Sequence, residues 1–168
     1  MKSKLIFLLF PGIFMSACNT PPTVETLPPP SIEMAEVTVY FLDEDQFAIG
    51  KEPYEVGVIR EIHPDAFLPR LALQAYFDGP TEEEKAQGLV QVLSGCTGFS
   101  EFNIDDGVAR VTLTGPCNSG GSTYTIAHPV IKILHQFDEI DYVKLYDAEG
   151  ITEEPTGRSD SIPFVLEP

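Results

Sequence analysis

Any chemistry in this chain of 168 residues has to draw on three cysteines, three histidines and 26 acidic side chains. Cys96 and Cys117 flank two alternating runs that meet at Asp106-Gly107. Asp-Gly accepts the positive φ of a type I′ turn, so the stretch reads as a β-hairpin. With Asp105 opposite Val108, counting outward sets Ile104 opposite Ala109, Phe102 opposite Val111, Ser100 opposite Leu113 and Cys96 opposite Cys117. The cysteines then fall at a non-hydrogen-bonded position, where facing Cα atoms lie ~4.5 Å apart, within disulfide range. The expectation is a Cys96–Cys117 bridge worth roughly 3 kcal/mol through loop closure. Pro116 has no N–H to give Thr97, so the ladder frays there and a bulge would shift the register; two free buried thiols are the alternative.

The histidines promise less. His63 precedes Pro64 in a loop, and His128 and His135 share a helix face only if Pro129 leaves that helix straight. A metal site needs a third ligand, and none stands at a recognisable spacing. The acidic groups Asp43-Glu44-Asp45, Asp105-Asp106 and Asp138-Glu139 with Asp141 fall at strand and turn ends. Gathered together they would suit a calcium ion, but none has EF-hand spacing and solvated turns account for them. Gly120-Gly121-Ser122 ahead of a helix would present N–H groups to an anion, although a flexible lead-in with an N-cap explains it as well. Cys117 and Ser122 have no histidine and acid placed to activate them. The residues therefore predict no catalytic site, no metal and no cofactor.

Cys18 belongs to a different chemistry. The basic start Met1-Lys2-Ser3-Lys4, the apolar run from Leu5 to Phe14 and then Met15-Ser16-Ala17-Cys18 follow the order of an export signal. The apolar part is too short to span a bilayer. The last four residues resemble a bacterial lipobox, with Met15 where that motif usually has Leu. This resemblance implies removal of residues 1–17 and acylation of Cys18; ordinary cleavage, leaving a spare thiol, is the alternative. One cysteine for lipid and two for a bridge leave no odd thiol in an oxidising compartment. Over 18–35, Pro21, Pro22, Pro28, Pro29 and Pro30 among Thr, Glu and Ser read as a semi-rigid extended tether.

About 130 residues remain, enough for one domain with a sizeable core. The chain has 10 basic residues and a formal charge of −16, and losing Lys2 and Lys4 with the leader would make it more negative. That balance excludes nucleic acid and an anionic lipid surface as electrostatic partners, since both select basic patches. Solubility of an exported surface accounts for it better than a cation or a basic partner.

The elements that must position these residues follow from periodicity. Glu36 to Leu42 alternates as a strand, with Asp43-Glu44-Asp45 as the polar turn that ends it, and Val56 to Ile62 is a second strand weakened by Gly57. Leu68, Leu71, Ala72, Ala75 and Tyr76 make a helical stripe that tolerates Pro69 early and stops at Asp78-Gly79-Pro80. Thr81 and Glu84 form a capping box for a short acidic helix. After the hairpin, Thr123 reads as the N-cap of a second long helix over Tyr124 to Phe137, either kinked at Pro129 or starting near Ala127. Ile140 to Tyr146 is a further strand, and the tail from Ser159 to Pro168 is apolar enough to pack back as an edge. The order predicts an α+β fold, a mixed or antiparallel sheet with two main helices packed on one face.

Val37 to Leu42, Asp78-Gly79-Pro80-Thr81-Glu82-Glu83-Glu84 with Gly88, Asp106-Gly107-Val108-Ala109-Arg110-Val111, Leu134-His135-Gln136-Phe137 and Val143-Lys144-Leu145-Tyr146-Asp147 together resemble the GerMN domain of sporulation and spore-germination proteins and bacterial lipoproteins. The match covers residues 36–168. The resemblance implies a non-enzymatic domain serving protein interaction or assembly in the envelope, related in fold to ring-building motifs of sporulation complexes. The expected protein is thus a lipid-anchored envelope protein, on the outer side of the cytoplasmic membrane or in the periplasm. Its expected partners are the membrane through Cys18, envelope proteins, and as a further option a second copy of itself. A binding protein for a small ligand, such as a cell-wall fragment or cation, is the alternative.

Overall fold

The computed structural model describes residues 33–168. The expected leader at 1–17, Cys18 and nearly all of the tether expected over 18–35 lie outside the described residues. Strand β1 (Ala35–Asp43) buries Val37, Val39 and Phe41 and leaves Thr38 and Tyr40 half-buried, the alternation of a strand with one face in the core. The expected polar turn after it is instead the start of a short helix, α1 (Glu44–Ala48). Asp43 is the reason: its carboxylate accepts the Gln46 N–H at 2.9 Å and caps the helix. Strand β2 (Glu55–Ile62) returns antiparallel, with Gly57 facing Tyr40. A Cβ there would stand 2.8 Å from the Thr38 methyl and 3.1 Å from the Tyr40 ring, so this glycine makes room for its neighbours.

Helix α2 (Leu68–Asp78) carries Pro69 in its first turn and buries Ala72, Leu73 and Tyr76. The Tyr76 ring stacks on Phe41 with centroids 5.7 Å apart, and its hydroxyl donates to the Val92 carbonyl at 2.6 Å. Helix α3 (Glu82–Ala86) has both halves of the expected Thr81–Glu84 capping box. Strand β3 (Leu89–Val90) pairs with the end of β1. The hairpin β4 (Gly98–Asp105) and β5 (Val108–Thr114) follows, with positive φ at Asp106 and Gly107 as its turn demands.

Helix α4 (Ala127–Leu134) begins at the later of the two expected positions, which leaves Pro129 in the first turn. Thr123 does not cap it. The chain from Ser122 to Thr125 is not yet helical, and the N–H of the residue at the cap, Ile126, donates to Ser94 Oγ from a distant loop at 3.1 Å. Strand β6 (Tyr142–Tyr146) lies parallel to β5, the relation that a helical crossover permits. The tail pairs with β6 through Ser161 and Lys144 and ends in a 3-10 turn (Phe164–Leu166) that buries Leu166.

The class is α+β, but the strands divide between two three-stranded sheets, β2-β1-β3 and β4-β5-β6, where the sequence suggests one. A side chain stands where the β1 ladder would continue: the Gln136 amide accepts the Thr38 N–H at 2.7 Å and donates to the Thr38 carbonyl at 2.8 Å. A side-chain amide thus satisfies this open edge in the way a neighbouring strand would. Helices α2 and α4 pack on β1 and on each other, and α4 also touches β6, so both sheets share one core.

Candidate functional site

The cysteine end of the hairpin is reached by a different route from the one the count implies. Pairing follows the expected register from Asp105 with Val108 to Glu101 with Thr112, then shifts so that Phe99, not Ser100, faces Leu113. Ser100 is a bulge. Its cause is in the sequence: Phe99 and Phe102 are three apart, so strict alternation would leave one outside, and the extra residue turns both to the same side. On the other strand Gly115 has φ 91° and the Cys117 N–H donates back to the Gly115 carbonyl at 2.9 Å, which takes up one residue around Pro116. The two irregularities offset each other. Cys96 and Cys117 face each other with Cα atoms 4.4 Å apart and are joined by a disulfide. Beside it Ser94 fastens three segments, taking the Asn118 N–H on its carbonyl and the Ile126 N–H on its hydroxyl.

The other candidates have partners of their own. His63 is exposed near Asp65, His128 stacks on Tyr124 with ring centroids 4.7 Å apart, and His135 Nε2 lies 3.0 Å from Asp160 Oδ2. Two of the acidic turns do come together, but around a guanidinium: Arg158 reaches Asp141 at 2.8 Å and Asp106 at 3.3 Å while its guanidinium lies over Tyr142. Gly107 sits tightly there, because a Cβ would meet Asp141 Oδ2 at 2.5 Å. Gly120 and Gly121 do not precede a helix directly, and their N–H groups donate to Asn118 and Ser119 side chains. Ser122 Oγ donates to the Tyr124 carbonyl. Among the described residues no group of three or more metal-binding side chains is gathered, and no helix is long and apolar enough to cross a membrane.

Two surface regions remain, and neither was singled out by residue type. The first is aromatic. Phe67, at the cap of α2, is 49 % exposed and Leu71, one turn on, is 37 % exposed. Phe67 meets Phe102 edge-on at 5.6 Å, Phe102 continues to Phe99 at 6.5 Å, and Arg70 lies over Phe99 at 5.0 Å. These side chains lie beside β4, the edge strand of its sheet among the described residues. The only sequence signal for this region is the three-residue spacing of Phe99 and Phe102.

The second is a cleft of about 340 Å3 bordered by Phe47, Glu52, Tyr54, Glu55, Tyr124 and His128. It adjoins a smaller hollow of about 300 Å3 lined by Ala127, Ile131, Lys132 and Ile162, with Glu55 and His128 common to both. Glu55 is central: one carboxylate oxygen accepts the Tyr124 hydroxyl at 3.0 Å and the other faces Lys132 Nζ at 3.3 Å. Burial, then the Glu55 charge, push the Tyr124 phenol well above its usual range. No local pattern announces this cleft, because Glu55 and Lys132 are brought together from β2 and α4.

The family model described as Germane, sporulation and spore germination, matches residues 38–154. The chain belongs to this family. That is the family whose turns and strands the sequence resembles. A search of curated proteins finds no match. Among solved structures, the Germane fold here is similar to the tandem GerMN domains of the sporulation protein GerM from Bacillus subtilis, at 20 % identity and a TM-score of 0.51, over 86 % of this chain and 51 % of that one. The chain spans about half the length of that tandem structure. It also matches the first GerMN domain of the same protein at 23 % identity and a TM-score of 0.49, over 74 % of this chain and 92 % of that one. A candidate lipoprotein from Clostridium perfringens matches at 18 % identity and a TM-score of 0.44, over 83 % of this chain and 93 % of that one.

Proposed function

We propose that this Germane chain is a lipid-anchored, non-enzymatic envelope protein that docks onto a protein partner through the aromatic border of α2 and β4. The supporting observation is the exposure of Phe67 and Leu71 over half-buried Phe99 and Phe102. Grouped, exposed apolar side chains of this kind mark docking sites, and aromatic anchors contribute most to such contacts. The partner is a different envelope protein, with apolar side chains for the rings and a carboxylate for Arg70. A second copy of a chain of formal charge −16 would bring like charge against like. Cys18, after Met15-Ser16-Ala17, carries the lipid on the outer side of the cytoplasmic membrane or in the periplasm, and the proline-rich tether gives the domain reach.

Two independent measurements test this reading. Cys18→Ser should move the protein from the membrane fraction to the soluble fraction, and retention on the membrane contradicts the anchor. A photo-crosslinking residue at Leu71 should capture one partner in cells, and Phe67→Ser in the same chain should cut that capture by about tenfold or more, the loss expected for an aromatic anchor. Undiminished capture by Phe67→Ser rules out this border as the docking site.

A further inference from the structure

The cleft around Glu55 is built from different residues and points to a different occupant. Its walls are aromatic rings and carboxylates. Phe47, Tyr54 and Tyr124 lie within 5.3–6.3 Å of one another, and Glu52 and Glu55 stand at the same opening. Ring faces carry the negative part of an aromatic quadrupole and attract cations; Glu52 beside them adds to that field, and Glu55, which already faces Lys132, adds less. The Tyr124 hydroxyl is spent on Glu55 and fixes where that carboxylate points. The molecule already shows the recognition next door: the Lys132 ammonium lies 4.5 Å from the Tyr40 ring centre while facing Glu55. The larger hollow has the same pairing of ring and carboxylate, and at about 340 Å3 it lies at the small end of ligand-site volumes.

We propose that this cleft binds a small organic cation through an alkylammonium group seated against the Phe47 and Tyr54 rings and neutralised by Glu55 with Glu52. The adjoining apolar hollow of Ala127, Ile131 and Ile162 takes the aliphatic remainder of the ligand. The site is separate from the aromatic border proposed for docking, so either reading survives the failure of the other.

The test uses the full chain in detergent at constant ionic strength, with aromatic NMR signals followed during titration. The probes are choline, n-butylammonium and 3,3-dimethylbutan-1-ol, the uncharged carbon analogue of choline. Choline or n-butylammonium should shift the Phe47 and Tyr54 rings saturably, and whichever binds better tells quaternary from primary ammonium. The uncharged analogue should bind about tenfold more weakly, the loss expected when a partly desolvated cation–π contact disappears. Glu55→Gln should weaken the cation by a similar factor. Because Glu55 also holds Tyr124 and Lys132, Phe47→Leu serves as a second variant: its ring is 40 % exposed, and it should lower affinity several-fold with Tm unchanged. Phe67→Ser should bind as the native chain does. Absence of saturable shifts, equal binding of the uncharged analogue, or shifts confined to other parts of the surface would overturn the proposal.

Discussion

Single residues explain more of this domain than its composition does. Tyr76 is fully buried with its hydroxyl on the Val92 carbonyl, and Tyr124 is nearly so with its hydroxyl on Glu55. Burial raises both phenols above their ordinary range, and for Tyr124 the Glu55 charge adds to the effect. A phenol raised in the fold contributes stability that is complete below the ordinary value near 10 and is lost as pH climbs through the folded one. The ultraviolet steps of these two tyrosines should therefore coincide with loss of near-ultraviolet circular dichroism. A reversible step in intact protein that disappears in Tyr124→Phe would contradict this. What was legible at this scale was local: Asp106-Gly107 gave its turn and Thr81 with Glu84 gave its cap. Gly57, read as a weakness, proved to be a space for Thr38 and Tyr40, which no neighbour in sequence reveals.

Between elements, the contacts that matter are those a linear reading does not pair. Arg60 of β2 makes a bidentate contact with Glu84 of α3, both bonds 2.7 Å long, and the same Glu84 completes the capping box. The Arg60 hydrogen bonds hold the Glu84 carboxyl below its usual range, assisted by the Thr81 N–H. A depressed carboxylate contributes stability above its ordinary range that fades as pH falls through the folded value. Glu84→Gln should thus destabilise by about 1 kcal/mol at neutral pH, with the two chains converging in acid. A deficit unchanged across denaturant midpoints from neutral to acid pH would sink this account. Periodicity found the two main helices and the strands of the hairpin because each has an apolar side. It missed α1, whose five residues bury nothing, and the division into two sheets, where a distant glutamine satisfies Thr38 at the open edge of β1. The Glu55 cleft was invisible because its members come from separate elements and carry no common spacing, and the aromatic border left only the three-residue spacing of Phe99 and Phe102 as a trace.

At the scale of the whole molecule, the C-terminal arm closes the structure. Leu166 is 1 % exposed in the shared core, the Ser119 N–H donates to the Val165 carbonyl, and the fully buried Lys144 ammonium donates to Ser159 Oγ. Leu166→Ala should cost about 2–5 kcal/mol, the range for emptying a core position. A chemical-denaturation midpoint close to native would mean the arm is only an appendage. Its apolar character was legible, but its docking places were not, since backbone groups of the 119 loop and β6 receive it. The Ser100 bulge has a last consequence at this scale. Without that residue, β4 would alternate regularly and present a smooth outer row of N–H and C=O groups, the template on which identical chains add strand to strand. A kinked border of this kind keeps neighbouring copies from zipping edge to edge wherever the chain is concentrated.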